Sequence, residues 1–264
     1  MHGGNNIQRH VWLLSGTGEG PRIVEAFLAN GWGVSVSVVS DQASLIYLGL
    51  PLENLWVGAL SGPKEIKGIL SHRLAINKPF DLVVDATHPF AVNITFDLKL
   101  ACNEINQKLV RFERPLSSPG WVNYISKVDD LAKFSFRSKK VLFAIGSRSL
   151  SNGVHSIKKS NGLAFARILP SPESLKEALA ANIPNNHLAV LKPFQGNKLG
   201  EYEEAICRFW SITTLVCRQS GGTTQHLWEQ ICKRNNLELW MIKRPSNLKG
   251  IKIVSSIENI FQGF

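Results

Sequence analysis

A glycine-rich pattern near the amino end of the chain could bind a phosphate group. It reads Gly16-Thr17-Gly18-Glu19-Gly20. An apolar run at 11–14 precedes it and apolar residues at helical spacing follow it, so it stands between a predicted strand and a predicted helix. Backbone amides at such a helix start can hold a pyrophosphate, and glycines let the backbone approach it. The spacing is G-x-G-x-G rather than the common G-x-G-x-x-G, so a tight turn without a ligand is the alternative.

The next predicted strand ends at Ser40 and Asp41, about 20 residues after the glycine turn. In dinucleotide-binding folds a side chain at this place meets the ribose of the adenosine half. If Asp41 faces the ribose hydroxyls, NADH is favoured. If Ser40 takes that place and Asp41 turns away, NADPH fits. The sequence leaves both open.

A polar segment follows the most apolar strand of the first half, at 80–86. It reads Asp85-Ala86-Thr87-His88-Pro89-Phe90-Ala91. Open α/β sheets bind ligands at the carboxyl ends of their strands, so Asp85, Thr87 and His88 are expected beside the glycine turn. A histidine can exchange a proton near neutral pH, whereas a purely structural His88 would cap the next helix or fill a polar pocket.

A second glycine turn, Ser220-Gly221-Gly222-Thr223, also opens a predicted helix. It is therefore a further candidate site for an anion such as part of a dinucleotide.

The elements that must position these residues alternate along the chain. Strands are predicted at 11–14, 33–39, 55–58, 80–86, 109–112, 140–145, 164–169, 188–191, 213–217 and 239–242. Helices are predicted after the first glycine turn and at 63–76, 91–107, 172–182, 198–210 and 223–236. This alternation predicts an α/β protein with two Rossmann-like, doubly wound parallel sheets. The linker signal Ser117-Ser118-Pro119-Gly120 divides it into an amino-terminal dinucleotide-binding domain, 1–118, and a basic carboxyl-terminal domain, 119–264.

Composition narrows the class of protein. The 264 residues are 44% hydrophobic and 19% charged, which is typical of a globular protein. A polar start and the lack of a bilayer-length apolar stretch predict a cytoplasmic protein without a membrane partner. The four cysteines lie far apart with no C-x-x-C pair, so neither a metal site nor a disulfide framework is expected.

The net charge of +10 is confined to one half of the chain. Residues 1–118 carry ten Lys/Arg and ten Asp/Glu, and residues 119–264 carry twenty and ten. The cations are scattered, which argues against a nucleic-acid partner and leaves an acidic small molecule or a merely basic surface.

The combination of motifs resembles the precorrin-6A reductase family. The motifs that carry the resemblance are the two glycine turns, the segment from Asp85 to Ala91, Arg111-Phe112-Glu113-Arg114-Pro115 and Ile242-Lys243-Arg244-Pro245. The resemblance covers nearly the whole chain. It implies two α/β domains with a cleft between them, NADPH or NADH as cofactor, and a hydride transfer that saturates one carbon–carbon bond of a contracted tetrapyrrole, with or without cobalt.

The resemblance also implies roles for single residues. The substrate carries many carboxylate arms, which cations at predicted strand ends would bind: Arg111, Arg114, Arg148, Lys192, Lys243 and Arg244. His88 is the candidate proton donor, although water could do the same. The chain departs from the family at Ser220-Gly221-Gly222-Thr223, where the family has an extra small residue and a later Lys, and at Leu191-Lys192-Pro193-Phe194, where it has Arg-Gly-Pro-Phe. The oligomeric state stays open.

Two other functions are alternatives. A short-chain oxidoreductase would carry a Tyr-x-x-x-Lys pair, and none of Tyr47, Tyr124 and Tyr202 is followed by Lys at that spacing. A non-catalytic dinucleotide-binding module would use the same glycine turn without the chemistry.

Overall fold

The computed structural model describes residues 9–192 and 200–262, and the chain divides into two compact units. The first unit consists of Met1–Pro115 together with Pro245–Phe264, and the second is Leu116–Arg244. The predicted boundary at 118 falls three residues from the observed one. The predicted extent of the second domain, 119–264, needs correction at its carboxyl end, because the last twenty residues belong to the first unit.

The strands alternate with helices, as the sequence predicts. The strands are β1 (His10–Ser15), β2 (Gly33–Val38), β3 (Asn54–Val57), β4 (Leu82–Ala86), β5 (Leu109–Phe112), β6 (Asn123–Ile125), β7 (Lys140–Ala144), β8 (Leu163–Ile168), β9 (Leu188–Val190), β10 (Thr214–Arg218), β11 (Glu238–Ile242) and β12 (Lys252–Val254). The helices are α1 (Gly20–Ala29), α2 (Asp41–Ser44), α3 (Pro63–Ala75), α4 (Val92–Glu104), α5 (Leu150–Lys159), α6 (Pro172–Ala180), α7 (Glu201–Phe209), α8 (Thr223–Arg234) and α9 (Glu258–Phe261).

The first unit contains a six-stranded parallel sheet in the order β12-β5-β4-β1-β2-β3. Both faces are apolar, because Val11 and Leu13 of β1 join one core cluster while Trp12 and Leu14 join another. A strand buried on both sides reads as a continuous apolar run, which is why β1 and β4 were visible in the sequence. Helix α1 covers the first cluster with Ile23.

The second unit contains a six-stranded parallel sheet in the order β6-β11-β10-β7-β8-β9. One of its faces packs Leu142 of β7 and Leu215 of β10 against Trp228 of α8 and Cys207 of α7. The prediction of two parallel α/β sheets is confirmed.

The two sheets share one strand order. Five consecutive strands of each unit follow the doubly wound pattern 3-2-1-4-5, and a sixth strand adds to the same side. In the first unit that strand is β12, from the carboxyl end, and in the second it is β6, which precedes the other five. Pairing of β12 with β5, in which Ile253 lies opposite Arg111, explains why the end of the chain returns to the first unit.

The sequence did not predict β6, β12, α2, α5 or α9. No helix among the described residues is long and apolar enough to cross a bilayer.

Candidate active site

The first unit changes its direction of winding between β1 and β4, and two predicted motifs meet there. Gly16, just after β1, donates its amide hydrogen to the Ala86 carbonyl at 3.2 Å. A side-chain carbon at Gly16 would lie 3.1 Å from the His88 amide nitrogen and 3.2 Å from Thr87 Cα. The glycine turn and the segment after β4 therefore occupy the sheet edge where α/β proteins bind ligands.

The three glycines of this turn differ in what an added side chain would contact. Gly16 has no room because the backbone at Thr87 is so close, and a side chain at Gly20 would overlap Ser15 Oγ and the Tyr47 hydroxyl. Tyr47 donates a hydrogen bond to Ser15 at 2.6 Å, and burial raises the pKa of Tyr47. Gly18 is exposed and has nothing within 4 Å of a side-chain carbon. Packing inside the described protein therefore gives no reason for glycine at this one position.

Helix α1 begins at this turn with Glu19 as its N-cap, and Pro21 pre-forms its first turn. The Glu19 carboxylate is bound in two places by Arg114, with Arg114 Nε at 2.5 Å from Oε1. Burial alone would raise the pKa of Glu19, but the hydrogen bonds and charge of Arg114 outweigh it and lower the pKa. Arg114, expected from the sequence at the substrate, binds the carboxylate of the glycine turn in this structure.

Asp85, expected from the sequence to bind the cofactor, is fully buried and accepts hydrogen bonds from its own loop. Its Oδ1 accepts the Thr87 amide at 3.0 Å and the Thr87 hydroxyl at 2.6 Å. Its Oδ2 accepts the Thr95 hydroxyl at 2.7 Å and forms an ion pair with Arg111 at 2.5 Å. The carboxylate thus fixes Thr87, the residue directly before His88.

Arg111, expected from the sequence at the substrate, is only 3% exposed and lies within the first unit. Its Nε donates to Glu113 at 2.7 Å while its Nη1 faces Asp85. Burial would lower the pKa of Arg111, but the charges and hydrogen bonds of these two carboxylates outweigh it and raise the pKa. With its amide oriented to satisfy both groups, Asn247 donates to the two Glu113 oxygens at 2.8 and 3.0 Å. The network therefore ties the returning carboxyl-terminal segment to β4 and β5.

His88 is half-buried at the end of this network. Its Nδ1 accepts the Phe90 amide at 3.2 Å, and its carbonyl accepts the Ala91 amide at 2.7 Å. Because Nδ1 acts as an acceptor, a neutral imidazole carries its proton on Nε2. The turn therefore holds the imidazole ring on its Nδ1 side.

Ser40 lies after β2, which neighbours β1, and caps α2 by accepting the Ala43 amide at 3.3 Å. Asp41 is exposed in the first turn of that helix. The stretch 39–63 contains this aspartate and Glu53 but no Lys or Arg. Both residues therefore follow β2 at the carboxyl edge of the sheet, and this stretch adds no cation there.

In the second unit, the corresponding edge of the sheet, at the carboxyl ends of β7 and β10, carries arginines instead of a buried carboxylate. Gly146 follows β7 with a φ of +77°, and the exposed Arg148 comes two residues later. Arg218, the last residue of β10, places its Nη1 3.7 Å from where a side-chain carbon at Gly146 would lie. Burial and the charge of Arg148 both lower the pKa of Arg218. Arg218 was not predicted as a site residue, although its position just before the second glycine turn was a usable signal.

The second glycine turn is closed by side chains of its own unit. The Gly221 amide donates to Gln225 at 2.7 Å, and the buried Gln225 in turn donates to Glu229 at 2.8 Å. The carbonyl of Ser220 accepts Arg244 Nη2 at 2.9 Å. Gly222 is the N-cap and Thr223 the first residue of α8. The turn thus differs from the open one at Gly18, although both were predicted to bind the cofactor.

Two further predicted cations lie at strand ends of the second unit. Lys192 is exposed shortly after β9, and Lys243 is exposed directly after β11. The residues that follow Lys192, from 193 to 199, lie outside the described part of the chain. Among the residues described, no three His, Cys, Asp or Glu side chains are grouped to hold a metal ion.

Comparisons with known proteins agree with this architecture. The chain matches the family described as "Precorrin-6x reductase CbiJ/CobK" over residues 10–263. It is 30% identical to a cobalt-precorrin-6A reductase of Synechocystis sp. over 96% of this chain and 94% of the relative. It is 26% identical to a precorrin-6A reductase of Mycobacterium tuberculosis over 94% and 93% of the two chains.

A solved structure shares the fold. The protein described as CobK precorrin-6A reductase superposes with a TM-score of 0.74 at 19% identity, covering 96% of this chain and 95% of the other. The fold, the order of the motifs and the extent of these matches lead to one conclusion: the chain belongs to the precorrin-6x reductase (CbiJ/CobK) family of oxidoreductases.

Proposed function

We propose that this chain reduces one carbon–carbon double bond of precorrin-6A, or of its cobalt form, to give the corresponding precorrin-6B, with NADPH as the hydride source. The observation that carries the proposal is the glycine turn at the switch point of the first unit, which is open at Gly18 beside Thr87 and His88. The reaction is cytoplasmic, and the partner is a soluble tetrapyrrole rather than a membrane or a nucleic acid.

The first glycine turn supports a dinucleotide pyrophosphate. Gly16 and Gly20 let the turn pack against the strand ends, while Gly18 exposes backbone that a phosphate can approach. The start of α1 adds the positive end of a ten-residue helix. Arg114 neutralises Glu19, the acidic side chain at this helix start, so the anion does not meet an uncompensated negative charge.

The choice between NADPH and NADH depends on Ser40 and Asp41. Ser40 has a hydroxyl that can donate to a 2′-phosphate, which is the reason to propose NADPH. Because 39–63 provides no Lys or Arg, a cation for that phosphate would have to come from elsewhere in the chain, and NADH is the alternative. Asp41→Ser should therefore raise the NADPH preference over NADH, since it removes the charge that repels the phosphate.

The protein contributes to the chemistry by orienting the reactants and by supplying one proton. A bound nicotinamide supplies the hydride, and the conjugated macrocycle accepts the electron pair. His88 lies at the same edge as the glycine turn. Its protonated form, the imidazolium, can give a proton to the neighbouring carbon and return to the neutral ring. Asp85 and Thr87 hold the segment that orients this imidazole.

Cations of the second unit support recognition of the carboxylate arms. Lys192 is exposed shortly after β9 and Lys243 directly after β11 of the same parallel sheet, and Arg244 is anchored to the Ser220 carbonyl. Such partly fixed cations suit carboxylates, which they bind through paired or single N–H donors.

The test uses purified protein with precorrin-6A or cobalt-precorrin-6A and each nicotinamide. We expect nicotinamide oxidation only when the macrocycle is present. Gly18→Val should weaken NADPH binding by about 100-fold or more, because the side chain occupies the space of the pyrophosphate. Gly68→Val is the matched control, since Gly68 of α3 is also exposed with nothing within 4 Å. A folded Gly18→Val with wild-type NADPH and NADH affinity would overturn the assignment of this turn.

A further inference from the structure

We propose that Arg148 and Arg218 form a binding site for a carboxylate arm of the tetrapyrrole substrate, at the switch point of the second unit's own sheet. The inference rests on the proposed function, because it takes its ligand from that reaction. The sequence predicted Arg148 as a substrate cation but did not predict Arg218. That the two belong to one site is inferred from the structure.

Two arginines, one from a loop and one from the end of a strand, stand at the same sheet edge. Arg148 stands in the loop after β7, and Arg218 ends β10, the strand that pairs with β7. The Arg218 guanidinium lies over Gly146 of that same loop, with 3.7 Å between its Nη1 and the site of a side-chain carbon. Gly146 has a positive φ and a free surface, so the backbone leaves room for a ligand above it.

The electrostatics favour an anion at this place. Two guanidinium groups in proximity repel each other, and the partial burial of Arg218 makes water a poorer screen. An anion between them would convert this repulsion into two attractions. Helix α5 begins at Leu150 directly after the loop, and the side chain of Ser149 makes no cap bond among the described residues. This ten-residue helix begins two residues after Arg148, so its positive dipole end adds to the charge of the loop.

A carboxylate fits this site better than a pyrophosphate does. In the second glycine turn, which a dinucleotide would need beside the arginines, the Gly221 amide is taken by Gln225. The donors at this site are therefore the two guanidinium groups rather than a row of backbone amides. Guanidinium forks match the two oxygens of a carboxylate.

The experiment compares Arg148→Gln with Arg148→Lys and with Lys159→Gln as the control. Lys159 is exposed at the opposite end of α5, so its variant removes the same charge from the same helix. Arg148 is exposed, so its variants should fold. Arg218 is half-buried, so its substitution is expected to lower stability and is not used. Two quantities are measured: the KM for cobalt-precorrin-6A and for NADPH in turnover, and the quenching of tryptophan fluorescence by cobalt-precorrin-6A without nicotinamide.

We expect Arg148→Gln to raise the KM and the Kd for cobalt-precorrin-6A about tenfold, with Arg148→Lys intermediate and Lys159→Gln within about twofold of wild type. The KM for NADPH should not change. Without ligand, Arg148→Gln should raise Tm by about 1 °C, since the repulsion with Arg218 ends. A merely structural Arg148 would lower Tm instead.

Three outcomes would overturn the proposal. Unchanged affinity for the macrocycle in Arg148→Gln would mean that no carboxylate binds there. Weaker NADPH binding with normal macrocycle binding would mean that the site takes the pyrophosphate. An equal loss in Lys159→Gln would mean that only overall charge matters. If wild-type protein binds the macrocycle but reduces it with neither nicotinamide, the proposed function fails while the binding comparison still tests the site.

Discussion

The two sheets of this chain share a strand order, yet their switch points carry opposite chemistry. In the first unit, the strand beside β1 brings Asp85 to the edge, and that carboxylate is buried and neutralised inside the unit by Arg111. In the second unit, the strand beside β7 ends in Arg218, and Arg148 stands in the loop after β7. One edge is a closed internal network next to an open glycine turn. The other is a pair of cations next to a closed glycine turn.

The comparison teaches that topology selects the place of a site but not its ligand. A doubly wound sheet leaves a crevice at the switch point whatever side chains lie there. The ligand follows from the loop residues: open glycine backbone suits phosphate, and forked cations suit carboxylate. The excess charge of 119–264 is thus represented by specific side chains at this edge rather than by overall charge alone.

The largest effect is expected from a substitution that breaks the internal network of the first unit. Asp85→Asn removes the charge opposite Arg111 and leaves a buried guanidinium with Glu113 as its remaining carboxylate. We expect a loss of about 3–5 kcal/mol in the free energy of unfolding, measured by urea denaturation. Asp41→Asn, an exposed carboxylate of the same unit, should cost less than about 0.5 kcal/mol.

If Asp85→Asn does not fold, Thr95→Val provides the same test at smaller scale. It removes the hydroxyl that donates to Asp85 while keeping the side-chain shape, and should cost about 1–3 kcal/mol. Wild-type stability in both variants would mean that the first edge is not held by this network, and the contrast with the second edge would lose its basis.

The next effect concerns His88 and separates its chemistry from its place in the turn. His88→Asn keeps an acceptor for the Phe90 amide but removes the imidazole Nε2–H. We expect kcat to fall at least about tenfold, with Tm and NADPH affinity near wild type. His88→Ala removes both functions and is the comparison that reports the turn. A His88→Asn enzyme with normal kcat would assign His88 to the turn alone and leave proton transfer to water.

Much of the fold was readable because buried parallel strands are apolar on both faces. The strands β1, β4 and β5 and the helices α3 and α8 lie within a few residues of their predicted bounds. Helix α5 was missed because its apolar positions, Leu150, Val154 and Ile157, are interrupted by Gly153. That glycine is explained only by tertiary contact, since a side-chain carbon there would lie 2.7 Å from the Phe143 ring.

The short strands β6 and β12 were beyond sequence reasoning for another reason. Three residues are too few to show a period, and both strands owe their place to pairing with strands distant in the sequence. The same limit applies to the site. Residue types marked Asp85 and Arg111 as functional, but their mutual burial depends on contacts 26 residues apart. Sequence spacing alone cannot distinguish an internal ion pair from a ligand contact.

The smallest effect tests whether the Arg114 pair belongs to the glycine turn. Arg114 lowers the pKa of Glu19 despite burial, so the folded state holds the carboxylate's proton more weakly than the unfolded chain does. The pair's contribution is therefore complete above the unfolded pKa and is lost as the pH falls through the lowered folded value. Glu19→Gln should cost about 1 kcal/mol at pH 7, discounted for the partial exposure of both side chains.

The difference between wild type and Glu19→Gln should shrink as the pH falls below the ordinary glutamate value of 4.5 and be lost below the lowered pKa of folded Glu19, measured by urea denaturation at each pH. Glu25→Gln, an exposed site on the same helix, should show no such trend. Arg114→Gln should lower stability as Glu19→Gln does, and the double variant should cost no more than either, because the two groups stabilise each other. If Arg114→Gln instead raises the KM for the macrocycle without loss of stability, Arg114 is a substrate cation after all. Carboxylate recognition would then be shared by both edges rather than assigned to the second.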